Sequence, residues 1–272
     1  GAWTAVIAKA AFGTPLVVRC GFLWADFVAR LTSSRLRRWV ARALEGLAVR
    51  SADRVVVAAA ADAARIIDRY HVDPARVTVI PNYVDTARFR PDDGVVPDAG
   101  HILFVGRLED QKNPALLIDA ARTVPGVHIT VVGDGPLRAD LESLAQANGV
   151  AVHFAGRLAH DALAGLFRRA QVFVLPSRYE GNPKVLVEAM ACGVPVVGTR
   201  VPGIADVIAD RQNGLLCDSS VESLRAAMVE LLRDAGLRTR LANAGRRYVE
   251  AHCSLGAAVA SERALLEGIT SS

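Results

Sequence analysis

The sequence has no apolar run approaching the roughly eighteen residues of a transmembrane helix. Its hydrophobic windows are short or interrupted by Arg, Asp or Gly. It has four cysteines, Cys20, Cys192, Cys217 and Cys253, with no C-x-x-C pair and no histidine at metal-ligand spacing. That pattern excludes a disulfide scaffold and leads us to expect free thiols in a reducing compartment. There is no internal repeat, no low-complexity tract and no D-x-D pattern suited to holding a metal. Charge of one sign is also scarce in excess. The 32 basic residues outnumber 28 acidic ones by a net +4, which does not demand a phosphate-rich partner and gives no sign of nucleic-acid binding. No initiator methionine, secretory n-region or cleavage pattern accompanies Gly1, and we read the chain as a fragment whose beginning lies elsewhere.

What is present is ample core-forming material: 272 residues, 51% of them apolar, enough for one large domain or two small ones. Disorder and fibrous architectures are excluded on the same ground. Short β-branched runs recur at 16–18, 55–57, 77–80, 102–105, 129–132, 172–175 and 194–197, separated by segments of helical period. Strand alternating with helix predicts an α/β fold built on doubly wound parallel sheets. One helix reads closely: Leu36, Trp39, Val40, Ala43, Leu44, Leu47 and Ala48 fall on a stripe expected to face the core, with Arg35, Arg37, Arg38 and Arg42 away from it.

The turn formers from Pro81-Asn82 through Asp92-Asp93-Gly94 to Gly100 predict an interdomain linker over 82–100. Residues 1–81 then form a partial N-terminal domain, and 101–252 a complete C-terminal one. Residues 253–272 are a helix expected to pack back on the N-terminal part.

Two segments carry residues suited to chemistry. In the first, Gly106-Arg107-Leu108-Glu109-Asp110-Gln111-Lys112-Asn113-Pro114 leaves a strand and enters a helix, with Asn113 as an expected N-cap and Pro114 in the first turn. Arg107 and Lys112 then project from the C-terminal edge of a parallel sheet, where open α/β folds bind ligands. A guanidinium fork and a compact ammonium together suit a diphosphate, although spacing alone leaves solvated loop cations equally open. In the second, Glu180-Gly181-Asn182-Pro183 follows a strand, and Pro183 is read as starting the next helix, whose N-terminus suits an anion. Glu188 lies five residues on, about 7.5 Å along the axis. A capping role for Glu180 and an exposed helical position for Glu188 are the plain alternatives.

The pair Glu180 and Glu188 in E-x7-E spacing, the E-G-N-P and E-A-M-A-C-G-V-P wording, the G-R-L-x-x-Q-K segment and the Gly133-Asp134-Gly135-Pro136 turn occur in order over about 100 residues. Together they resemble a retaining, nucleotide-sugar-dependent glycosyltransferase of family 4. The resemblance implies a GT-B fold with a complete C-terminal Rossmann-like domain and a truncated N-terminal one. It also implies roles. Arg107 and Lys112 would bind the donor diphosphate, Glu188 the ribose hydroxyls, and Glu180 would face the donor sugar. Gly181 and Asn182 would donate backbone hydrogen bonds, with Pro183, Val185 and Leu186 beside them. Gly106, Gly133 and Gly135 would bring the chain close to the nucleotide, and the segment 154–158, with Arg157 and Leu158, would lie near the base. Cys20-Gly21 stands where members carry a histidine, and Asp206 where a longer carboxylate is usual.

The resemblance implies a UDP- or GDP-linked sugar as donor, a saccharide or lipid-linked acceptor, and neither metal nor organic cofactor. It places the protein in the cytoplasm, at the inner face of the membrane if the acceptor is lipid-linked. The arginine-rich face at 35–42 would suit such contact, or simply be a solvated polar face. A different GT-B enzyme, such as a sugar-nucleotide epimerase or a phosphorylase, and a non-catalytic nucleotide-binding module remain the alternatives.

Overall fold

A computed structural model describes residues 2–92 and 94–270. Gly1 and the turn position Asp93, both used above, lie outside the described residues. The described residues fall into two compact units, one formed by 2–82 together with 258–270 and the other lying within 83–257.

The first unit contains helices α1 (Ala2–Phe12), α2 (Trp24–Leu31), α3 (Arg35–Ser51) and α4 (Ala60–Tyr70), and strands β1 (Val17–Cys20), β2 (Arg54–Val57) and β3 (Val77–Val79). The strands form a three-stranded parallel sheet in the order β1-β2-β3. Its core gathers Leu16, Val49, Val55, Val57, Ile66 and Tyr70. The chain returns to this unit from Ala258, which packs with Val56 and Ile80.

Here α3 differs from its sequence reading. Leu36, Trp39, Val40 and Leu47 are exposed, and the buried face is Ala41, Glu45, Gly46, Ala48 and Val49. Small residues let this helix approach its neighbours closely: a Cβ on Gly46 would come within 2.9 Å of the Tyr70 ring. The Glu45 carboxylate is tolerated inside because Tyr70 donates its hydroxyl to it at 2.6 Å. Periodicity finds the large apolar side chains, and in α3 the close-packed face is made of small ones.

The second unit holds β4 (His101–Val105), α5 (Pro114–Ala121), β5 (His128–Val132), α6 (Arg138–Asn148), β6 (Ala151–Gly156), α7 (His160–Arg169), β7 (Val172–Leu175), α8 (Lys184–Ala191), β8 (Val196–Thr199), α9 (Pro202–Ala205), β9 (Leu215–Cys217), α10 (Val221–Arg233) and α11 (Ala235–His252). A last helix, α12 (Leu255–Thr270), crosses into the first unit. The sheet is wholly parallel in the order β6-β5-β4-β7-β8-β9. Its central strands β4 and β7 are buried throughout, which is why their sequences read as unbroken apolar runs. Helices cover both faces, with Phe167, Phe173, Leu186 and Met190 in one core and Ile102, Leu117, Val174 and Met228 in the other.

The stretch expected to link the domains is largely part of this unit. Val84 bridges to Ser254, and Phe89 is fully buried in the core against Phe167. Turn residues mark where the backbone bends, not whether the side chains between the bends are buried.

Among the described residues no helix is long and apolar enough to cross a membrane. Four free thiols are present, and burial pushes those of Cys192 and Cys217 up to about 12. Such thiols are poor nucleophiles near neutrality.

His101 gives the second unit a defined pH response. It is buried, with Nδ1 3.1 Å from the Arg169 carbonyl and Nε2 2.9 Å from the Thr130 hydroxyl. Burial holds its pKa below the ordinary 6.5. Above that value neither folded nor unfolded chain is protonated here, so His101 adds no pH dependence. As pH falls through it the unfolded chain takes up a proton that the folded site resists, and stability declines. Thermal unfolding followed downward from neutrality should show this loss, and His101→Gln, which keeps a donor for Arg169, should lessen the slope. An unchanged slope would contradict the assignment.

Candidate functional site

The strand order of the second unit reverses direction between β4 and β7, and open α/β sheets leave a ligand crevice beyond the C-terminal ends at such a point. The loop after β4 carries Arg107 and Lys112, and the loop after β7 carries Glu180, Gly181 and Asn182. The two loops are laced together. Arg178 N–H donates to the Gln111 carbonyl at 2.8 Å, and Gln111 Nε2 donates to the Tyr179 carbonyl at 3.1 Å. Lys112 Nζ lies 2.6 Å from Glu180 Oε1, which also accepts from the Ser177 hydroxyl at 2.6 Å. The Lys112 and Glu180 side chains are only 17% and 6% exposed, so this pair is shielded from solvent screening. Arg107, by contrast, is 75% exposed and, among the described residues, forms an ion pair only with Glu109, at 3.4 Å.

Glycine is required in this region for reasons of packing. Gly133 has φ +134, and a Cβ there would lie 1.9 Å from the Gly106 carbonyl oxygen. At Gly135 a Cβ would come 2.4 Å from the Leu108 carbonyl oxygen, and at Gly203 one would come 2.1 Å from that of Gly181. Leu108 N–H donates to the Asp134 carbonyl at 3.0 Å, and Leu137 N–H to the Leu108 carbonyl at 3.1 Å. These glycines therefore let the loops that rim the crevice stack directly on one another.

Helix boundaries shift slightly from expectation. Pro183 is the extended N-cap residue of α8, and the helix begins at Lys184. Asn113 is the N-cap of α5 but makes no side-chain cap; it holds a left-handed conformation, φ 50, which asparagine tolerates. Pro114 does occupy the first turn.

Glu188 is buried, its side chain 3% exposed, which excludes an exposed helical position. Its Oε1 lies 2.8 Å from His160 Nε2 and 3.9 Å from Lys184 Nζ. His160 opens α7 and packs its half-exposed ring against Phe89, centroids 4.9 Å apart. A buried carboxylate supported by an accessible histidine can accept a further hydrogen bond from a hydroxylated ligand. Val185 is partly buried, whereas Leu186 is fully buried, and its side chain belongs to the core beneath the site. Arg157 and Leu158 follow β6 and are exposed, with Arg157 Nε 4.0 Å from Asp134.

A family model described as Glycosyl transferases group 1 matches residues 85–248, and one described as Glycosyltransferase Family 4 matches residues 1–88. The chain belongs to the group 1 glycosyl transferases. It is 36% identical over 216 residues to a D-inositol 3-phosphate glycosyltransferase of Acidothermus cellulolyticus, covering 71% of this chain and 48% of the relative. To the protein of that name from Salinispora arenicola it is 34% identical over 273 residues, covering 89% and 61%. The chain thus spans about half the length of the curated relatives it matches. Sucrose-phosphate synthase from Thermosynechococcus elongatus superposes with a TM-score of 0.85 at 24% identity, covering 99% of this chain and 71% of that one. Anabaena HepE, solved with UDP and glucose, gives 0.83 at 19% identity, covering 100% and 75%. The fold is α/β of the GT-B type.

In this group 1 family member, His160 is the residue that sequence reasoning missed. Six histidines with no grouping along the chain give no signal, and the partnership with Glu188 spans 28 positions. The Lys112–Glu180 pair spans 68, so its residues are legible one by one but their contact is not.

Proposed function

We propose that the crevice beyond β4 and β7 binds a nucleoside diphosphate sugar and that the full protein transfers the sugar to an acceptor with retention of configuration. The observation that carries this reading is the shielded Lys112–Glu180 pair at the strand-order reversal, with the buried Glu188 on the adjoining α8. Lys112 has three donors, so it can keep Glu180 while pointing another at a phosphate. Arg107, mostly exposed beside Glu109, closes on the diphosphate with its planar fork. Glu188 receives the ribose hydroxyls, and Arg157 with Leu158 flanks the base. Glu180 faces the sugar, and the backbone N–H groups of Gly181 and Asn182 meet the sugar or its phosphate. The HepE complexes with UDP and with UDP-glucose favour a UDP-linked donor over a GDP-linked one. The names of the relatives favour a polyol phosphate acceptor.

The chemistry follows from charge. As the bond to the anomeric carbon lengthens, negative charge grows on the departing diphosphate while the ring acquires oxocarbenium character. Arg107, Lys112 and the start of α8 hold fixed positive potential where that charge appears, which lowers the barrier. The acceptor hydroxyl attacks from the face the diphosphate leaves, its oxygen bonding to the anomeric carbon as the bond to the phosphate oxygen breaks, and its proton passes to that departing oxygen. Calorimetric titration with UDP, GDP, ADP and uridine tests the binding step. A diphosphate should bind far more tightly than uridine, and equal affinities would overturn the reading.

A further inference from the structure

Helix α8 begins on a charge that works against it. The helix is buried from Leu186 onward, and Lys184, its first residue, is its one exposed position. The first turn holds no acidic residue, so this ammonium sits unaccompanied at the positive end of the helix dipole, where a cation is disfavoured. No strong ion pair offsets the conflict. Lys184 Nζ is 3.9 Å from Glu188 Oε1, and a lysine four residues before a glutamate is the weaker order of such a helical pair. Glu188 also has a closer partner in His160, at 2.8 Å. A local rule broken beside a ligand crevice points to function, not to folding.

We propose that Lys184 is a third cation for the donor: it shares Glu188 with His160, yields that carboxylate to the ribose hydroxyls, and closes on the α-phosphate of the same nucleotide. The inference rests on the nucleotide reading and adds to it a residue and a division of labour. Of the two partners of Glu188, Lys184 is the one able to leave. Its side chain is 50% exposed on a flexible four-carbon stem and its contact is long, whereas the His160 ring is packed against the buried Phe89. Its place along the chain suits the new partner. Lys184 lies one helical turn, about 6 Å, from Glu188 toward the start of α8. Four residues further back is Glu180, whose carboxylate holds Lys112. In chain order Lys184 thus stands between the carboxylate assigned to the ribose and the pair assigned to the sugar and diphosphate, and the α-phosphate is what joins those parts of the ligand. A phosphate there also brings to the first turn of α8 the negative charge that its own sequence omits.

Calorimetric titration of the wild type, Lys184→Gln and Lys184→Arg with uridine, UMP and UDP tests this, with the guanosine series replacing it if GDP binds the wild type better. Lys184→Gln should weaken UMP and UDP by about tenfold each while changing uridine by less than about twofold, the pattern of one lost charge-assisted hydrogen bond to phosphate. Lys184→Arg should recover most of the loss. The melting temperature of Lys184→Gln should be unchanged or raised, since a cation leaves the helix start. An equal loss for uridine, UMP and UDP would show Lys184 acting only through Glu188 and would overturn the proposal. So would unchanged UMP affinity in Lys184→Gln. Failure of the nucleotide reading itself has a different signature, a wild type that binds nucleoside and nucleotides alike, and the proposal would fall with it.

Discussion

Lys112→Ala should cost the protein twice, in stability and in diphosphate affinity. Lys112 and Glu180 are a shielded pair, and removing one member of such a pair leaves the other charged and poorly solvated. A loss of about 2 to 4 kcal/mol in urea unfolding is expected, below the full penalty for deep burial because Ser177 still donates to Glu180. Affinity for UDP or GDP should fall by a further factor corresponding to about 1.5 to 3 kcal/mol, the contribution of one charge-assisted hydrogen bond. Arg107→Ala separates the two effects. Its side chain is mostly exposed, so it should lose a similar amount of diphosphate affinity while changing stability by less than about 0.5 kcal/mol. Adding Glu180→Gln to Lys112→Ala should recover stability but not affinity. Equal losses of uridine and UDP binding would mean that these cations act through folding.

The second large effect distinguishes the two glutamates. Glu188 is assigned to the ribose, a part common to nucleotide and nucleotide sugar. Glu188→Gln should weaken both ligands by a similar factor, about 1 to 3 kcal/mol for a buried hydroxyl that loses its partner. Glu180 is assigned to the sugar, and Glu180→Gln should leave UDP affinity nearly unchanged while weakening the sugar nucleotide and slowing turnover of the full protein. His160→Ala should reproduce part of the Glu188→Gln effect, since its hydrogen bond orients that carboxylate. Loss of UDP binding in Glu180→Gln with none in Glu188→Gln would reverse the assignment.

How far the sequence discloses these features depends on where each residue's partners lie. Strands such as 102–105 and 172–175 are buried on both faces, and their apolar runs announce them. Strand β6, Ala151–Gly156, sits at the sheet edge with alternating exposure and a histidine in its middle, and β9 has only three residues; neither stands out. The loop motifs at 106–112 and 180–183 are legible because each is local. Their lacing through Gln111, Arg178 and Tyr179 depends on β4 and β7 becoming neighbours, and so does the Lys112–Glu180 contact. Gly133 is visible as a turn glycine, but the carbonyl of Gly106 that forbids a side chain there is visible only in the fold. On α3 the large apolar residues form the plainest stripe in the sequence, yet the packed face is the one with Ala41, Gly46 and Ala48.

Hydrogen exchange of the chain with and without a saturating nucleoside diphosphate tests the central claim most directly, because it reports where the ligand sits. Protection should concentrate in the backbone of residues 106–112, 133–137, 157–160 and 177–188, with little change in the first unit's sheet. Tight binding accompanied by protection elsewhere, or by none in these four segments, would contradict the placement of the nucleotide site beyond β4 and β7.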